Sequence, residues 1–390
     1  MFANRIKEIE PFLVMTLLEK ALQMEREGKN IVHFEIGEPD FDTPAPIIEG
    51  CFAEIEKGRT HYTHSLGYLD LRKTIADYKM TTRKTRYRPE TEIMVTAGSS
   101  PAFLMVLGAL LNPGDEVIIT DPGYPCYINY IRFFQAIPKF LKIYEEDRFD
   151  LQIENLEALI THRTKLIILN SPSNPTGQII PSNTLAKIAD LIAEHKIWVI
   201  SDEIYAELTY DLGLAPSLSE KKYERCHDRL IVIDGFSKFW AMTGWRLGYI
   251  LAPEKLMNEL IKLQQNFMIC APSVSQSAAL YAFQCLEETD QMLQTYKTRR
   301  DLIVSRLNEI EGISCLPPAG AFYAFANIKA LKRSSLKFSF DLLENAHIAA
   351  TPGIAFGENG EGYIRFSYPT GLENIEEGTS RLKKYVEKMS

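Results

Sequence analysis

Short apolar runs alternate with segments of helical periodicity over the middle of the chain. The apolar runs, each followed by polar or turn-forming residues, are residues 116–120, 165–169, 197–200, 230–233 and 247–251. The segments with apolar side chains at helical spacing are residues 101–111, 183–194 and 253–267. This alternation is typical of βαβ units, and it predicts an α/β fold in which helices cover a mainly parallel sheet.

The pattern changes after about residue 285. A long charged helix is predicted at residues 286–311, followed by short strand-like pieces and a final helix near residues 375–388. The amphipathic segment 11–27 precedes the sheet region and is suited to pack on this C-terminal unit. We therefore predict two domains. The large domain takes residues 45–285, and a smaller, discontinuous α+β domain takes residues 1–44 together with 286–390.

The composition narrows the class of protein. With 390 residues, 46% of them apolar, the chain is long enough for two or more folding units. Its net charge of -8 argues against a nucleic-acid or membrane partner, because both favour positively charged surfaces. The six cysteines form no CxxC pair, which favours reduced thiols over disulfides or a metal site. No signal-peptide pattern or apolar stretch of about 18 residues occurs, so we expect a soluble, cytoplasmic protein.

One segment, residues 235–249 with the sequence GFSKFWAMTGWRLGY, carries a lysine among small residues and an arginine one short loop later. An unprotonated Lys238 can form an imine with an aldehyde, and Ser237 and Arg246 can hold a phosphate dianion. Pyridoxal phosphate carries both groups, so this segment is a candidate site for that cofactor. The alternative is a surface loop whose lysine and arginine are solvated charges.

Polar residues that follow predicted strands are further candidates, because open α/β sheets bind ligands where strands end and helices begin. Asp202 and Tyr205, in SDEIY, follow the strand at 197–200. A carboxylate there can pair with a protonated pyridine nitrogen, and Tyr205 can donate a hydrogen bond to the cofactor's phenolic oxygen. Asn174, in NSPSNPTG, follows the strand at 165–169, although a turn former also has a purely structural interpretation.

A second group of candidates lies earlier in the chain. Gly98, Ser99 and Ser100 follow the strand-like EIMVTA and precede Pro101, which favours the first position of a helix. This places backbone N–H groups and two hydroxyls at a helix N-terminus, where phosphate is attracted. Tyr124, in DPGYPCY, can lie flat on a pyridine ring, although burial in the core is the more ordinary role for a tyrosine.

The order of these motifs carries a family resemblance. The motifs, in chain order, are IGEPDFDTP, YTHSLGYLDLR, TAGSS, DPGYP, NSPSNPTG, SDEIY, SKFWAMTGWRLGY and GYIRFSY. Over nearly the whole chain the sequence resembles the class I/II aminotransferases, fold type I pyridoxal phosphate enzymes of the aspartate aminotransferase superfamily. The resemblance implies a large domain with a mainly parallel seven-stranded sheet sandwiched by helices, plus the smaller discontinuous α+β domain.

The resemblance also implies roles for the candidate residues. Lys238 becomes the aldimine lysine and proton shuttle, with Asp202 on the pyridine nitrogen. The remaining cofactor contacts are Asn174 and Tyr205 on the phenolic oxygen, Tyr124 on the ring, and Ser99, Ser100, Ser237 and Arg246 around the phosphate. Tyr62 reaches the phosphate of the neighbouring subunit, which implies a homodimer with an active site shared across the interface.

The implied substrates are an L-amino acid and a 2-keto acid, and the implied sequence of steps is ping-pong. Arg365, in GYIRFSY, grips the α-carboxylate, because a planar guanidinium matches a carboxylate bidentately, and Gly37 and Asn174 complete that pocket. Many bacterial aspartate-specific relatives have a lysine where this chain has Ser100. We therefore expect either a neutral donor, such as alanine or an aliphatic or aromatic amino acid, or a broad range of donors in which aspartate is less favoured. The predicted side-chain pocket is formed by Phe12, Leu13, Ile36 and residues after Tyr124, unless these are core residues.

Two alternatives stay open from the sequence. A β-eliminating C–S lyase on the same fold would keep Lys238, Asp202 and Arg365 and release pyruvate and ammonia without a keto-acid acceptor. A ligand-sensing regulatory domain would need an attached DNA-binding module, for which we expect no room in these 390 residues.

Overall fold

The computed structural model describes residues 2–389, which contain thirteen β-strands and twelve α-helices. The strands are β1 (Val32–His33), β2 (Ile93–Thr96), β3 (Glu116–Asp121), β4 (Ile137–Lys142), β5 (Thr164–Asn170), β6 (Trp198–Asp202), β7 (Leu230–Gly235), β8 (Gly248–Leu251), β9 (Ser314–Cys315), β10 (Tyr323–Asn327), β11 (Ile348–Ala349), β12 (Thr351–Pro352) and β13 (Tyr363–Ser367). The helices are α1 (Leu13–Arg26), α2 (Ala45–Glu56), α3 (Leu69–Arg83), α4 (Ser99–Leu110), α5 (Cys126–Phe133), α6 (Ile153–Leu159), α7 (Ser182–His195), α8 (Glu254–Phe267), α9 (Ser273–Ala282), α10 (Leu286–Asn308), α11 (Ser335–Asp341) and α12 (Leu372–Glu387).

The central sheet has seven strands in the order β2-β8-β7-β6-β5-β3-β4. The five strands from β7 to β4 pair in parallel, whereas β8 is antiparallel to both of its neighbours. Strands β4 and β5 lie on opposite sides of β3, so successive strand connections run in opposite directions from that point. The carboxyl ends of β3 and β5 therefore border a crevice of the kind that binds ligands. The α/β fold class and the mainly parallel seven-stranded sheet are confirmed.

Helices cover both faces of this sheet. On β6, Val199 belongs to one buried cluster and Ile200 to the other, because successive strand residues point to opposite faces. Helix α7 packs Ile188 on the first face, and α4 packs Phe103 on the second. A sheet buried on both sides explains why these strands are continuous apolar runs in the sequence.

A smaller part of the fold is built from both ends of the chain. Strands β12, β13, β10 and β9 form an antiparallel sheet, and β1, from the N-terminal region, pairs in parallel with β11. The smaller discontinuous α+β unit is therefore present, while boundaries at residues 45 and 286 stay a prediction. None of the described helices is long and apolar enough to cross a membrane. A cytoplasmic location stays a prediction.

The start of α4 differs from the sequence-based expectation. The helix begins at Ser99, with Gly98 as the preceding residue, so Ser99 and Ser100 lie inside its first turn and Pro101 is its third residue. Proline fits there because the first N–H groups of a helix have no partner within it. Gly98 has a φ of 98°, which a residue with a side chain rarely adopts.

Candidate active site

A cavity of about 340 Å³ lies at the carboxyl ends of the central strands. Of the residues predicted from sequence, those that line it are Gly37, Ser99, Ser100, Tyr124, Asn174, Asp202, Tyr205, Lys238 and Arg365. Phe12 and Ile36 also line it, whereas Leu13 faces a neighbouring cavity. Side chains separated by more than 300 residues thus meet in one place.

Lys238 lies three residues beyond β7 and points into this cavity. Its Nζ donates a hydrogen bond to the backbone carbonyl of Gly37 at 2.6 Å. Burial disfavours the charged ammonium and lowers the pKa of Lys238 to about 8. More of this amine is therefore unprotonated near neutral pH than for an ordinary lysine, as a nucleophile or proton carrier requires.

Asp202 is the last residue of β6 and is buried. Its Oδ1 accepts the N–H of Ile204 at 3.2 Å, and its Oδ2 accepts a hydrogen bond from the hydroxyl of Tyr127. Burial raises the pKa of Asp202 to about 7, although the Tyr127 bond acts in the opposite direction. Sequence reasoning missed Tyr127. The available signal was its position three residues after Tyr124: Tyr127 lies in the first turn of α5, Tyr124 lies just before the helix, and the two ring centres are 5.3 Å apart.

Arg365, on β13, is 3% exposed and is held by neutral oxygens. Its Nη1 donates to Oδ1 of Asn174 at 3.0 Å, and its Nη2 donates to Oγ1 of Thr351 at 3.2 Å and to the backbone carbonyl of Glu35. It forms no ion pair with any carboxylate in the described part of the chain. A fixed guanidinium without a counter-charge is suited to bind the carboxylate of a ligand.

Two aromatic rings complete the surroundings of Arg365. The guanidinium carbon lies 4.6 Å from the ring centre of Tyr323 and 4.9 Å from that of Phe356. The hydroxyls of Tyr323 and Tyr205 are 2.7 Å apart. A Cβ on Gly37 would lie 2.1 Å from the Tyr323 hydroxyl, so only glycine fits at that position. Tyr323 was not predicted from sequence, because its motif AFYAF is equally typical of a core strand.

The N-terminus of α4 has the features of a phosphate site. The unsatisfied N–H groups of its first turn lie beside the hydroxyls of Ser99 and Ser100. A Cβ on Gly98 would be only 2.9 Å from Nη2 of Arg246, so this arginine closely approaches the turn. Neither Arg246 nor Ser237 is among the residues that line the cavity. Helix dipole, hydroxyls and guanidinium together suit a dianion.

Tyr62 lies elsewhere in the single chain. It is 81% exposed and lines a separate surface depression with residues such as Met268 and Pro272. Its predicted contact with the phosphate of a neighbouring subunit therefore needs a second chain.

The arrangement fits pyridoxal phosphate. The cavity offers an amine of lowered pKa for an aldehyde, a buried carboxylate for a pyridine nitrogen and a helix N-terminus for a phosphate. Such a site in a seven-stranded α/β sheet defines a fold type I enzyme that depends on this cofactor. The chain matches the family "Aminotransferase class I and II" over residues 29–382. It belongs to this family and is a pyridoxal phosphate-dependent aminotransferase.

Individual relatives agree on the class and differ in substrate. The chain is 40% identical to (5-formylfuran-3-yl)methyl phosphate transaminase of Methanocaldococcus jannaschii over 390 residues, with 100% of both chains covered. It is 37% identical to an aspartate aminotransferase of Pyrococcus abyssi, with 98% of each chain covered. The structure of alanine aminotransferase from Pyrococcus furiosus superimposes with a TM-score of 0.94 at 32% identity, covering 100% of both chains.

Proposed function

We propose that this aminotransferase moves the amino group of a neutral L-amino acid, aliphatic or aromatic, to a 2-keto acid by a ping-pong sequence. The observation that carries the proposal is the lining of the cavity. The described lining of this cavity is mostly apolar or aromatic, with residues such as Phe12, Leu18 and Tyr130. Lys238 and Arg365 are the only lysine or arginine side chains among those lining residues. The distal carboxylate of aspartate finds no further cation there, which supports a neutral donor.

Each residue has a defined task in this proposal. Bound pyridoxal phosphate supplies an aldehyde for the amino group and an electron-accepting ring. Arg365 holds the α-carboxylate of the substrate and thereby orients its α-carbon. The amine of Lys238 would move the α-proton of the substrate to the aldehyde carbon of the cofactor. Asp202 would hold the protonated ring nitrogen, and Tyr205, which is hydrogen-bonded to Tyr323, would donate a hydrogen bond to the phenolic oxygen.

Replacing Arg365 should weaken substrate recognition while Lys238 and Asp202 stay intact. Arg365→Ala removes charge-assisted hydrogen bonds of about 1.5–3 kcal/mol, so kcat/KM is expected to fall by about tenfold to a hundredfold. Arg365→Lys should give an intermediate value, because the charge remains and the planar fork is lost. Arg381→Ala serves as a matched control outside the cavity. An unchanged kcat/KM in Arg365→Ala would exclude this residue from substrate binding.

The Tyr127 hydroxyl should keep Asp202 ionised. In Tyr127→Phe the carboxylate loses a donor, so the pKa of Asp202 rises further and less of it is charged at pH 7. Losing such a bond, about 1.5–3 kcal/mol, should weaken cofactor affinity about tenfold or more near pH 7, with recovery at higher pH. The measurement is a fluorescence titration of the apoenzyme with cofactor between pH 6 and 9. Tyr144→Phe, which changes an exposed tyrosine outside the cavity, is the control; an unchanged affinity in Tyr127→Phe contradicts the role.

The donor class is tested by the visible absorption of the holoenzyme with single amino acids and no keto acid present. Conversion to the amino form of the cofactor, fastest with alanine, aliphatic or aromatic amino acids, is the expected result. Fastest conversion by aspartate would overturn the proposed donor class. Continuous release of pyruvate and ammonia without an acceptor would instead establish the C–S lyase alternative.

We also propose a homodimer in which Tyr62 serves the site of the second subunit. Exposed apolar side chains near it, Phe267 and Ile269 among them, support an interface on this side of the chain. Sedimentation of the holoenzyme should give twice the chain mass. Tyr62→Phe should weaken cofactor retention without changing that mass, and a monomer of full activity would refute the shared site.

A further inference from the structure

A second cavity, of about 670 Å³, adjoins the active-site cavity. Phe12 lines both of them. Tyr124 lines the first cavity, and the next residue, Pro125, lines the second. Leu13, the residue after Phe12, lines the second cavity and not the first. The two spaces therefore meet at the Phe12 side chain, between the start of α1 and the start of α5.

Arg132 is the notable charged group of this second cavity. It is half-buried near the end of α5, and its hydrogen bond is a long one of 3.5 Å from Nη1 to the backbone carbonyl of Glu8. Within residues 2–389 it forms no ion pair. A guanidinium has five N–H donors, so most of its capacity to bind an anion is unused.

The other charged side chains of this cavity have different surroundings. Lys142, Glu10 and Glu358 are exposed to solvent. Asp121 is buried, and its Oδ1 accepts the N–H of Asn359 at 3.0 Å. The three carboxylates outnumber the two cations, which disfavours small free anions. An anionic group on a molecule already bound in the active site can overcome this repulsion, because its binding in the second cavity is then an intramolecular step.

We propose that the second cavity is a subsite for a distal anionic group, carboxylate or phosphate, of an elongated substrate, and that Arg132 binds this group. The inference rests on the proposed function and extends it from neutral amino acids to those whose apolar or aromatic body, in the first cavity, carries an anion at its far end. Helix α5 spans eight residues, roughly 12 Å, so Arg132 lies about two turns beyond Tyr124. This separation selects a long or aromatic body and excludes a short dicarboxylate such as aspartate.

The geometry of Arg132 supports the assignment. A planar guanidinium binds a carboxylate or a phosphate through two parallel N–H···O bonds, and an unpaired one has no competing carboxylate to displace. Its partial burial makes such a bond stronger than the same bond in open solvent. Arg365 and Lys238 are committed to the α-carboxylate and the amino group, so a third charge on the substrate needs a third site.

The test compares amino donors that differ by one distal anion. The pairs are 4-carboxy-L-phenylalanine with L-phenylalanine, and O-phospho-L-tyrosine with L-tyrosine, each measured as kcat/KM with the holoenzyme. In Arg132→Gln, the ratio of the anionic to the neutral donor should fall about tenfold or more in at least one pair. Lys142→Gln, which removes an equal charge from the same cavity, should change that ratio less than about twofold. The pair that responds identifies carboxylate or phosphate as the group recognised.

Other outcomes separate this inference from the proposed function. If wild-type enzyme uses L-phenylalanine and L-tyrosine but Arg132→Gln leaves both ratios unchanged, the subsite is overturned and the donor class stands. An equal loss in Lys142→Gln also overturns the specific role of Arg132. Wild-type enzyme inactive with all four donors, yet active with aspartate, overturns both.

Discussion

Lys238→Ala is expected to abolish transamination, with kcat reduced at least about a thousandfold, since a positioned general base alone contributes about 10²–10⁴-fold. Lys238 is buried, its pKa is lowered to about 8, and its side chain lines the cavity. In the proposed mechanism, its removal eliminates both the amine that binds the cofactor aldehyde and the base that moves the α-proton. No other lysine lines the cavity among the described residues.

The measurement is the single-turnover rate of the loaded enzyme with a saturating amino acid. Lys255→Ala, which removes an exposed lysine from α8, is the matched control and should keep its rate. Far-ultraviolet circular dichroism and the melting temperature establish that the variant is folded. Partial recovery by a small primary amine in solution would support the proton-transfer role, and a near-normal rate in Lys238→Ala would refute it.

Lys79→Met is expected to destabilise the protein by about 3–5 kcal/mol, the usual cost of breaking a buried ion pair on one side. The Lys79 side chain is 0% exposed, and its Nζ lies 2.8 Å from Oδ2 of Asp234 and 3.8 Å from Oε2 of Glu203. Its loss leaves the buried carboxylate of Asp234 without its ion-pair partner, whereas Glu203 keeps Nη2 of Arg83 at 3.5 Å. Because Glu203 follows Asp202 and Asp234 lies four residues before Lys238, loss of cofactor affinity should accompany the loss of stability.

A second substitution distinguishes charge from packing. Lys79→Met combined with Asp234→Asn removes both charges, and a buried pair replaced on both sides often costs little. The double variant should therefore recover much of the stability lost in Lys79→Met, as measured by urea unfolding of the apoprotein. A single variant within about 1 kcal/mol of the native protein would contradict the importance of this pair, and so would a double variant less stable than Lys79→Met.

The sequence predicted the fold well because the buried strands are visible as apolar runs. Runs at residues 116–120, 165–169 and 230–233 correspond to β3, β5 and β7. Strand direction was not predictable in the same way. Strand β8 is as apolar as its neighbours and yet antiparallel, because burial on both faces imposes the same composition on either direction.

The sequence by itself determined the class of protein and the chemically distinctive groups, because Lys238 and Asp202 stand in local motifs that follow predicted strands, and Arg365 stands in a strand-like motif. Only the tertiary structure decided what surrounds them. The Tyr127 bond to Asp202 crosses 75 residues, and the Glu35 carbonyl that holds Arg365 is 330 residues away. Such contacts, and the burial that lowers the pKa of Lys238, depend on how all elements pack, and no local pattern encodes that packing.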